Sequence, residues 1–450
     1  MYKFPTQKIR EYASVRSVGA STPLCKAPLS NLYFSRNGDV ISCCFNRNFI
    51  LGTYPTIPLR ELWFGKQRTF FGKTVKKNEL VRGCEMCIRE IENQNYIGVI
   101  AKQYDFIKPR RFYPYMLEFE LDNVCNLECL MCEGQFSSSI RINREKEAKI
   151  ITPYDSSFLE YISPFLRKAR LLRFGGGEPF LIPLYFEMWD AILRENKKAN
   201  IYVQTNGTII NDRIRKWLAS GQFTLGVSLD SLNAERFEMI RKNARLSEVL
   251  HNIDEFISLM PVRKNISNLV ISATATRLNI NDMPTLLRYA NSNNAQIVFN
   301  TVWSPGEMAV YNLPANDLRI IADELSAEVL QEHTLLMKHN ASLFRAFLQQ
   351  MEQWHSLAKL REAKLKEYNA SDTSSLEKEL RIRLENAMQQ NQEGIVKIGL
   401  IFDRLRQHIR YRDFLMGVLL EDTGDIVRYL INHNEEEIIE TVVSRIEAIP

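Results

Sequence analysis

All eight cysteines of this 450-residue chain lie in its first 132 residues, and the last three set the tightest limit on what it can be. In the stretch LDNVCNLECLMCEG, Cys125, Cys129 and Cys132 follow a C-x3-C-x2-C spacing. Three thiolates on one short loop can wrap one face of a cubane iron–sulfur cluster and leave its fourth iron open to an exogenous chelating group. A structural zinc site is closed by four ligands instead. All six histidines (His251, His333, His339, His355, His408 and His433) stand beyond the last cysteine, so a Cys2His2 finger has no local partner. A papain-type Cys–His pair would have to be long-range.

The N-terminal stretch MYKFPTQKIREYASVRSVGAS has no apolar core of signal-peptide length and no cleavage-site pattern. Apolar runs such as Phe414 to Leu420 are far too short to span a bilayer. These features predict a cytoplasmic protein with no membrane partner. Thiols stay reduced there, and clustered cysteines bind metal or do chemistry more often than they pair. Charged residues make up 25% and hydrophobic residues 45%, a globular balance. A net charge of +5 is too small to argue for a nucleic acid partner. The basic runs KPRRF (108–112) and RINREKEAK (141–149) read as solvated faces.

Three zones separate by content. Residues 1–110 hold five cysteines among turn residues, residues 111–310 alternate β-rich runs with helical stretches, and residues 311–450 are helical in pattern. The β-rich runs are Met116–Leu121, Leu171–Phe174, Ile201–Gln204, Leu225–Leu229, Leu269–Thr274 and Ile297–Val302. Between two of them, Pro284 suits a first helical turn and Leu286, Leu287 and Tyr289 follow at helical spacing. Strands alternating with helices imply parallel pairing with right-handed crossovers. The expected class is α/β, a (βα) barrel or part of one, with chemistry in the loops after the strands. In the last zone Leu318, Ile321, Leu325 and Val329 share one helical face. Ser374 with Glu377 predicts a capping box ahead of Leu376, Leu380 and Leu384.

Placed after the first of these strands, the three-cysteine loop resembles that of the radical S-adenosylmethionine enzymes. Their hallmark is this spacing in a partial (βα)6 barrel, and the likeness covers roughly residues 111–310. The resemblance implies a [4Fe–4S] cluster on Cys125, Cys129 and Cys132. Its open iron would be chelated by the amino and carboxylate groups of S-adenosylmethionine. Reductive cleavage would then yield a 5′-deoxyadenosyl radical that abstracts hydrogen from a substrate. An aromatic residue often precedes the last cysteine of the family; Met131 stands there, and a thioether also packs on an adenine face. In FGGGEP (174–179), Gly176, Gly177 and Glu178 match the family's GGE motif, which meets the methionine ammonium. Asn206 of QTNGT and Ser228 and Asp230 of VSLDS match positions that reach the ribose or the methionine carboxylate. Singly, each is an ordinary turn or a helix cap. Their order at successive strand ends carries the reading.

Upstream the spacing runs Cys25, then Gly38-x4-Cys43, then Cys84-x2-Cys87. Four thiolates close a cluster or a zinc site, and spacing alone does not separate the two. The pattern resembles the SPASM and twitch domains, as does PLRELWFGKQRTFF between the cysteine pairs. The resemblance implies a second, auxiliary [4Fe–4S] cluster on Cys25, Cys43, Cys84 and Cys87. Two departures stand out. IREIENQNY follows the last pair without further cysteines, which is the twitch arrangement, and the domain precedes the barrel instead of following it. That N-terminal order, the CNLECLMC loop and WSPGEMAVYNLP resemble one subgroup of the family. Cys44 is left over, a small buried hydrophobe by default. The sharper reading makes it a hydrogen-atom donor or an alternative ligand.

The resemblance implies an enzyme modifying a peptide or protein, with an electron donor such as flavodoxin or ferredoxin. A small-molecule dehydrogenase or mutase acting on a sugar or nucleotide precursor is the main alternative. RNA modification and a non-catalytic iron–sulfur protein are weaker ones. Only 24 residues precede Cys25, too few for a peptide-binding winged-helix module, so recognition is expected to need a separate protein or the C-terminal helices. Arg277, Trp303 and Glu307 are substrate-side candidates by position alone.

Overall fold

The computed structural model describes residues 2–447 apart from 17–22, 97, 262–266, 303–304, 389–391, 409, 422 and 433. The chain divides into two compact units, Met1–Gln353 and Trp354–Pro450.

In the first unit β1 (Tyr2–Lys3) pairs antiparallel with β5 (Glu79–Leu80). The main sheet is built from β2 (Asn31–Phe34), β3 (Asp39–Ile41), β4 (Gly52–Thr53), β6 (Met116–Phe119), β7 (Leu171–Phe174), β8 (Asn200–Thr205), β9 (Phe223–Ser228), β10 (Leu269–Ala275) and β11 (Gln296–Thr301). Their order is β11-β10-β9-β8-β7-β6-β2-β3-β4. From β6 to β11 every neighbouring pair is parallel, with helices in the connections. This is the α/β arrangement the sequence predicts. In β8 the alternation is strict: Ile201, Val203 and Thr205 are buried, while Asn200, Tyr202 and Gln204 are half-buried on the other face.

The cysteine-rich segment enters the same sheet, a link that the sequence did not reveal. β2 runs parallel to β6 in a register that aligns Phe34, Phe119 and Phe174. Their rings stack at centroid distances of 5.7 and 5.0 Å, and Phe158 meets Phe34 edge-on at a centroid distance of 5.5 Å. Such cross-strand aromatic pairs are the unit of sheet stabilisation.

The helix Met283–Ser292 starts with Pro284 in its first turn and buries Leu286 and Leu287. The helix Ala315–Ser326 buries Leu318 and Leu325 but stops short of Val329, which is 84% exposed. The apolar spacing outlasts the helix because the chain turns before that residue meets a packing partner.

The second unit is helical, with Leu376, Leu380 and Leu384 in its core. The capping box is displaced. Asp372 caps the helix Thr373–Ala387 by accepting from the Ser375 N–H, Ser374 lies inside it, and Glu377 takes the Tyr411 hydroxyl and Arg406 instead. Among the described residues no helix is long and apolar enough to cross a membrane.

Candidate cluster and cofactor sites

Cys125, Cys129 and Cys132 follow β6, at the C-terminal end of that strand. Polar contacts from three directions fix the loop. The Cys125 N–H donates to Ser138 Oγ at 3.1 Å, and Ser137 Oγ donates to the Leu127 carbonyl at 2.7 Å. The N–H groups of Glu128 and Leu130 reach the carbonyls of Lys242 and Ile240 at 3.1 and 2.9 Å. Arg144 donates to the carbonyls of Cys129 and Cys132, and Glu145 accepts from the Gly134 N–H at 2.7 Å. Lys242 and Asn143 hold the Glu128 carboxylate at 2.8 and 2.9 Å, and the Lys242 contact is the main cause that lowers it to about 2.

Cys129 is buried and the other two thiols are half-buried. Burial pushes Cys125 up to about 11 and Cys132 up to about 12. Unliganded, they are neutral at pH 7, and a bound cation would have to displace their protons. The loop's own donor set is three thiols, one short of a closed structural site and the number an open-iron cubane takes.

The glycine turn after β7 lies on the backbone just ahead of Cys125. Gly177 and Glu178 donate their N–H groups to the carbonyls of Asp122 and Val124 at 3.1 and 2.7 Å. A Cβ on Gly177 would stand 2.1 Å from the Val124 oxygen. One on Gly176, whose φ is +111°, would stand 2.5 Å from the Asp122 oxygen. Gly175 is open by comparison, its nearest neighbour 3.9 Å away.

Glu178 is only 1% exposed. Its carboxylate accepts from the Phe180 N–H at 3.1 Å, Thr205 Oγ1 at 2.8 Å and the Asn206 N–H at 2.7 Å. Burial pushes it up to about 7. Asn206 in turn donates to Asn126 Oδ1 at 2.9 Å, one residue past Cys125. Glycine turn, Glu178, Asn206 and cysteine loop therefore form one connected set. Met131 is half-buried on that loop. Ser228 ends β9 and accepts from Gln204 at 3.1 Å. Asp230 is fully buried, its carboxylate taken by Arg241 and the Thr274 N–H, both at 2.7 Å. Asn233, not Asp230, caps the next helix, Ala234–Ile240.

The residues that brace the loop, Glu128, Arg144, Glu145, Arg241 and Lys242, escaped the sequence reading. Arg144 and Glu145 sit in a charge run taken as a solvated face, and contacts across about 100 residues leave no local spacing signal. Arg277 is tied by backbone N–H and Nε to the carbonyls of Met308 and Ala309, both at 3.1 Å, and Glu307 is exposed. Trp303 lies outside the described residues.

Cys25, Cys43, Cys84 and Cys87 line one cavity in the first unit. Cys84 caps the helix Glu85–Glu92, so Cys84 and Cys87 share the end where the helix dipole favours negative charge. Burial is the main cause that raises the thiols of Cys25, Cys84 and Cys87. Cys43 and the adjacent Cys44 interact, and that contact with burial pushes the Cys44 thiol up. Among the described residues no three or more His, Cys, Asp or Glu side chains are gathered to hold a single metal ion.

Asn46 Nδ2 donates to Cys84 Sγ at 3.2 Å. A Cβ on Gly83, whose φ is +90°, would stand 1.9 Å from Asn46 Oδ1. Gly83→Ala is therefore expected to push Asn46 off Cys84 and, with each cysteine set holding one cubane, to lower bound iron by up to about half of the total. Iron per chain after anaerobic reconstitution reads this directly; native iron content would contradict it.

A line of polar contacts crosses the sheet from the N-terminal cysteines to Ser228. Tyr104, beside Cys43, donates to Glu118 at 3.0 Å, and Arg173 donates to the same carboxylate at 3.1 Å. The Arg173 guanidinium lies 5.3 Å from the Tyr202 ring centroid. Tyr202 donates to Gln204 at 2.8 Å, and Gln204 reaches Ser228.

The first unit thus carries two sets of thiols, three on the loop after β6 and four lining one cavity. Residues 120–283 match the family model of the Radical SAM superfamily, and residues 25–88 match the SPASM iron–sulfur cluster-binding domain. The chain carries a radical S-adenosylmethionine domain, preceded by a SPASM domain.

Among curated proteins it is similar to a probable GTP 3′,8-cyclase of Methanocaldococcus jannaschii, 28% identical over 183 residues, which are 40% of this chain and 56% of that one. A GTP 3′,8-cyclase of Corynebacterium glutamicum is 27% identical over 238 residues, 49% of this chain and 56% of that one. The chain thus spans about half the length of these relatives. Similar solved structures include native anSMEcpe with bound AdoMet, 21% identical with a TM-score of 0.37, covering 47% of this chain and 58% of that one. Streptococcus suis SuiB bound to precursor peptide SuiA is 16% identical with a TM-score of 0.37, covering 62% of this chain and 64% of that one.

Proposed function

We propose that this protein is a radical S-adenosylmethionine enzyme that abstracts hydrogen from a peptide or protein substrate. The observation that carries the reading is the three-thiol loop at the end of β6, with the Gly176–Gly177 turn lying on its backbone. When bound, S-adenosylmethionine on a [4Fe–4S] cluster supplies a 5′-deoxyadenosyl radical. In this reading Cys125, Cys129 and Cys132 hold that cluster, and Met131, Gly176, Gly177, Asn206 and Ser228 border the S-adenosylmethionine site. Glu178 and Asp230 act there by fixing the turn at Asn206 and the end of β9.

Cys25, Cys43, Cys84 and Cys87 hold an auxiliary cluster in residues 1–110. Residues 111–310 form the catalytic (βα)6 region, and residues 311–450 follow as a helical region. In this reading the half-buried Arg173, Tyr202, Gln204 and Ser228 of the polar line offer a substrate hydrogen-bonding groups. The SPASM match supports the peptide reading, because such domains commonly accompany peptide modification.

The names of the curated relatives favour a second reading, a nucleotide such as GTP as substrate. Incubating the reduced, reconstituted chain with S-adenosylmethionine should release 5′-deoxyadenosine, and strict anaerobic absence of release would sink both readings. Adding GTP or a candidate peptide encoded beside the gene then separates them. Mass change in the peptide with GTP recovered intact supports the first; cyclised GTP replaces it with the second.

A further inference from the structure

Arg241 directly follows the helix Ala234–Ile240 and is 8% exposed. Its Nε donates to Asp230 Oδ2 at 2.7 Å, while the other oxygen of that fully buried carboxylate accepts from the Thr274 N–H on β10. The pairing anchors the guanidinium and leaves its η nitrogens free of Asp230. Nη1 is aimed at Cys129 Sγ, 3.8 Å away. The flanking carbonyls of Ile240 and Lys242 hold Leu130 and Glu128, so cation and loop move as one piece.

An ion pair that only stapled two segments would be complete with Nε and Asp230. The approach to the thiol is extra. The pair thus presents its positive end to the cysteine loop, in surroundings that exclude water. Reduction of a cluster there adds one negative charge, and a fixed cation beside a thiolate favours the charged state. Hydrogen bonds to cluster sulfurs and local charge are among the main determinants of iron–sulfur potentials.

We propose that Arg241 is a positioning residue that sets the reduction potential of the cluster on Cys125, Cys129 and Cys132, holding it higher than the loop alone would. The inference rests on the reading of that loop as a cluster site.

The test is an EPR-monitored redox titration of the reconstituted full chain. The cluster concerned is recognised by the change of its signal on adding S-adenosylmethionine. Arg241→Gln is expected to shift its midpoint negative by about tenfold in the reduction equilibrium, about 59 mV for one electron. Arg241→Lys, which keeps the charge, should recover most of the shift. Arg241→Met serves as a second neutral variant if Arg241→Gln loses the cluster. A native midpoint in a neutral variant that keeps its iron overturns the proposal. Loss of iron from both neutral variants, with iron kept in Arg241→Lys, also overturns it, in favour of a role in holding the loop. A chain with no signal that responds to S-adenosylmethionine would instead sink the cluster reading itself.

Discussion

Replacing Cys125, Cys129 and Cys132 together by Ala is expected to abolish 5′-deoxyadenosine release and to remove about half of the bound iron, from about 8 to about 4 per chain. The effect is large because a single loop supplies all three thiols, and contacts from Ser137, Ser138, Arg144 and Lys242 hold it in one shape. A missing thiolate cannot be replaced by moving that backbone. The complementary variant, Cys84→Ala with Cys87→Ala, should lose the other half of the iron and still cleave S-adenosylmethionine. Iron assay and chromatography of the cleavage product read both variants. Cleavage surviving in the triple variant would refute the assignment. Zinc in place of iron at the N-terminal set would remove the auxiliary cluster and leave the barrel's chemistry standing.

Much of this site was legible because its parts are local. Cys125, Cys129 and Cys132 fall within eight residues, Gly176 to Glu178 are consecutive, and each group stands beside a strand with a clear apolar pattern. The six parallel strands were legible for the same reason, since burial on one face of β8 prints itself as alternation. What stayed hidden is non-local. The pairing of β2 with β6 joins segments more than 80 residues apart, and the register that stacks Phe34, Phe119 and Phe174 has no signature in either segment alone. Arg241 reads as one charge in IRKNAR until the fold brings it to Cys129. Near-neighbour rules also misplaced a cap: Ser374 satisfied the spacing, but Asp372, two residues earlier, holds the Ser375 N–H. The partners of Glu178 and Asp230 were likewise hidden from the sequence. Their carboxylates are filled by donors from the protein, which fix the turn at Asn206 and the end of β9.

The run Gly175–Gly176–Gly177 offers an internal control for that shaping. Gly177→Ala is expected to lower S-adenosylmethionine cleavage by at least about 100-fold, since displacing a positioned backbone by about 1 Å costs that much. Its Cβ would sit 2.1 Å from the Val124 oxygen and 2.6 Å from the Asn123 carbonyl, both backbone atoms that cannot rotate away. The turn or the cysteine loop must shift, and the N–H contacts of Gly177 and Glu178 with Asp122 and Val124 open. Gly176→Ala adds backbone strain, because its φ of +111° is costly for any residue with a Cβ. Gly175→Ala meets nothing closer than 3.9 Å and should stay within a few-fold of native activity. Product release at saturating reductant, with iron content and thermal melting measured on the same samples, separates a displaced cofactor pocket from a lost cluster or an unfolded chain. Equal activity in the Gly175 and Gly177 variants, both holding full iron, would mean that the glycine turn does not set the geometry at which S-adenosylmethionine binds.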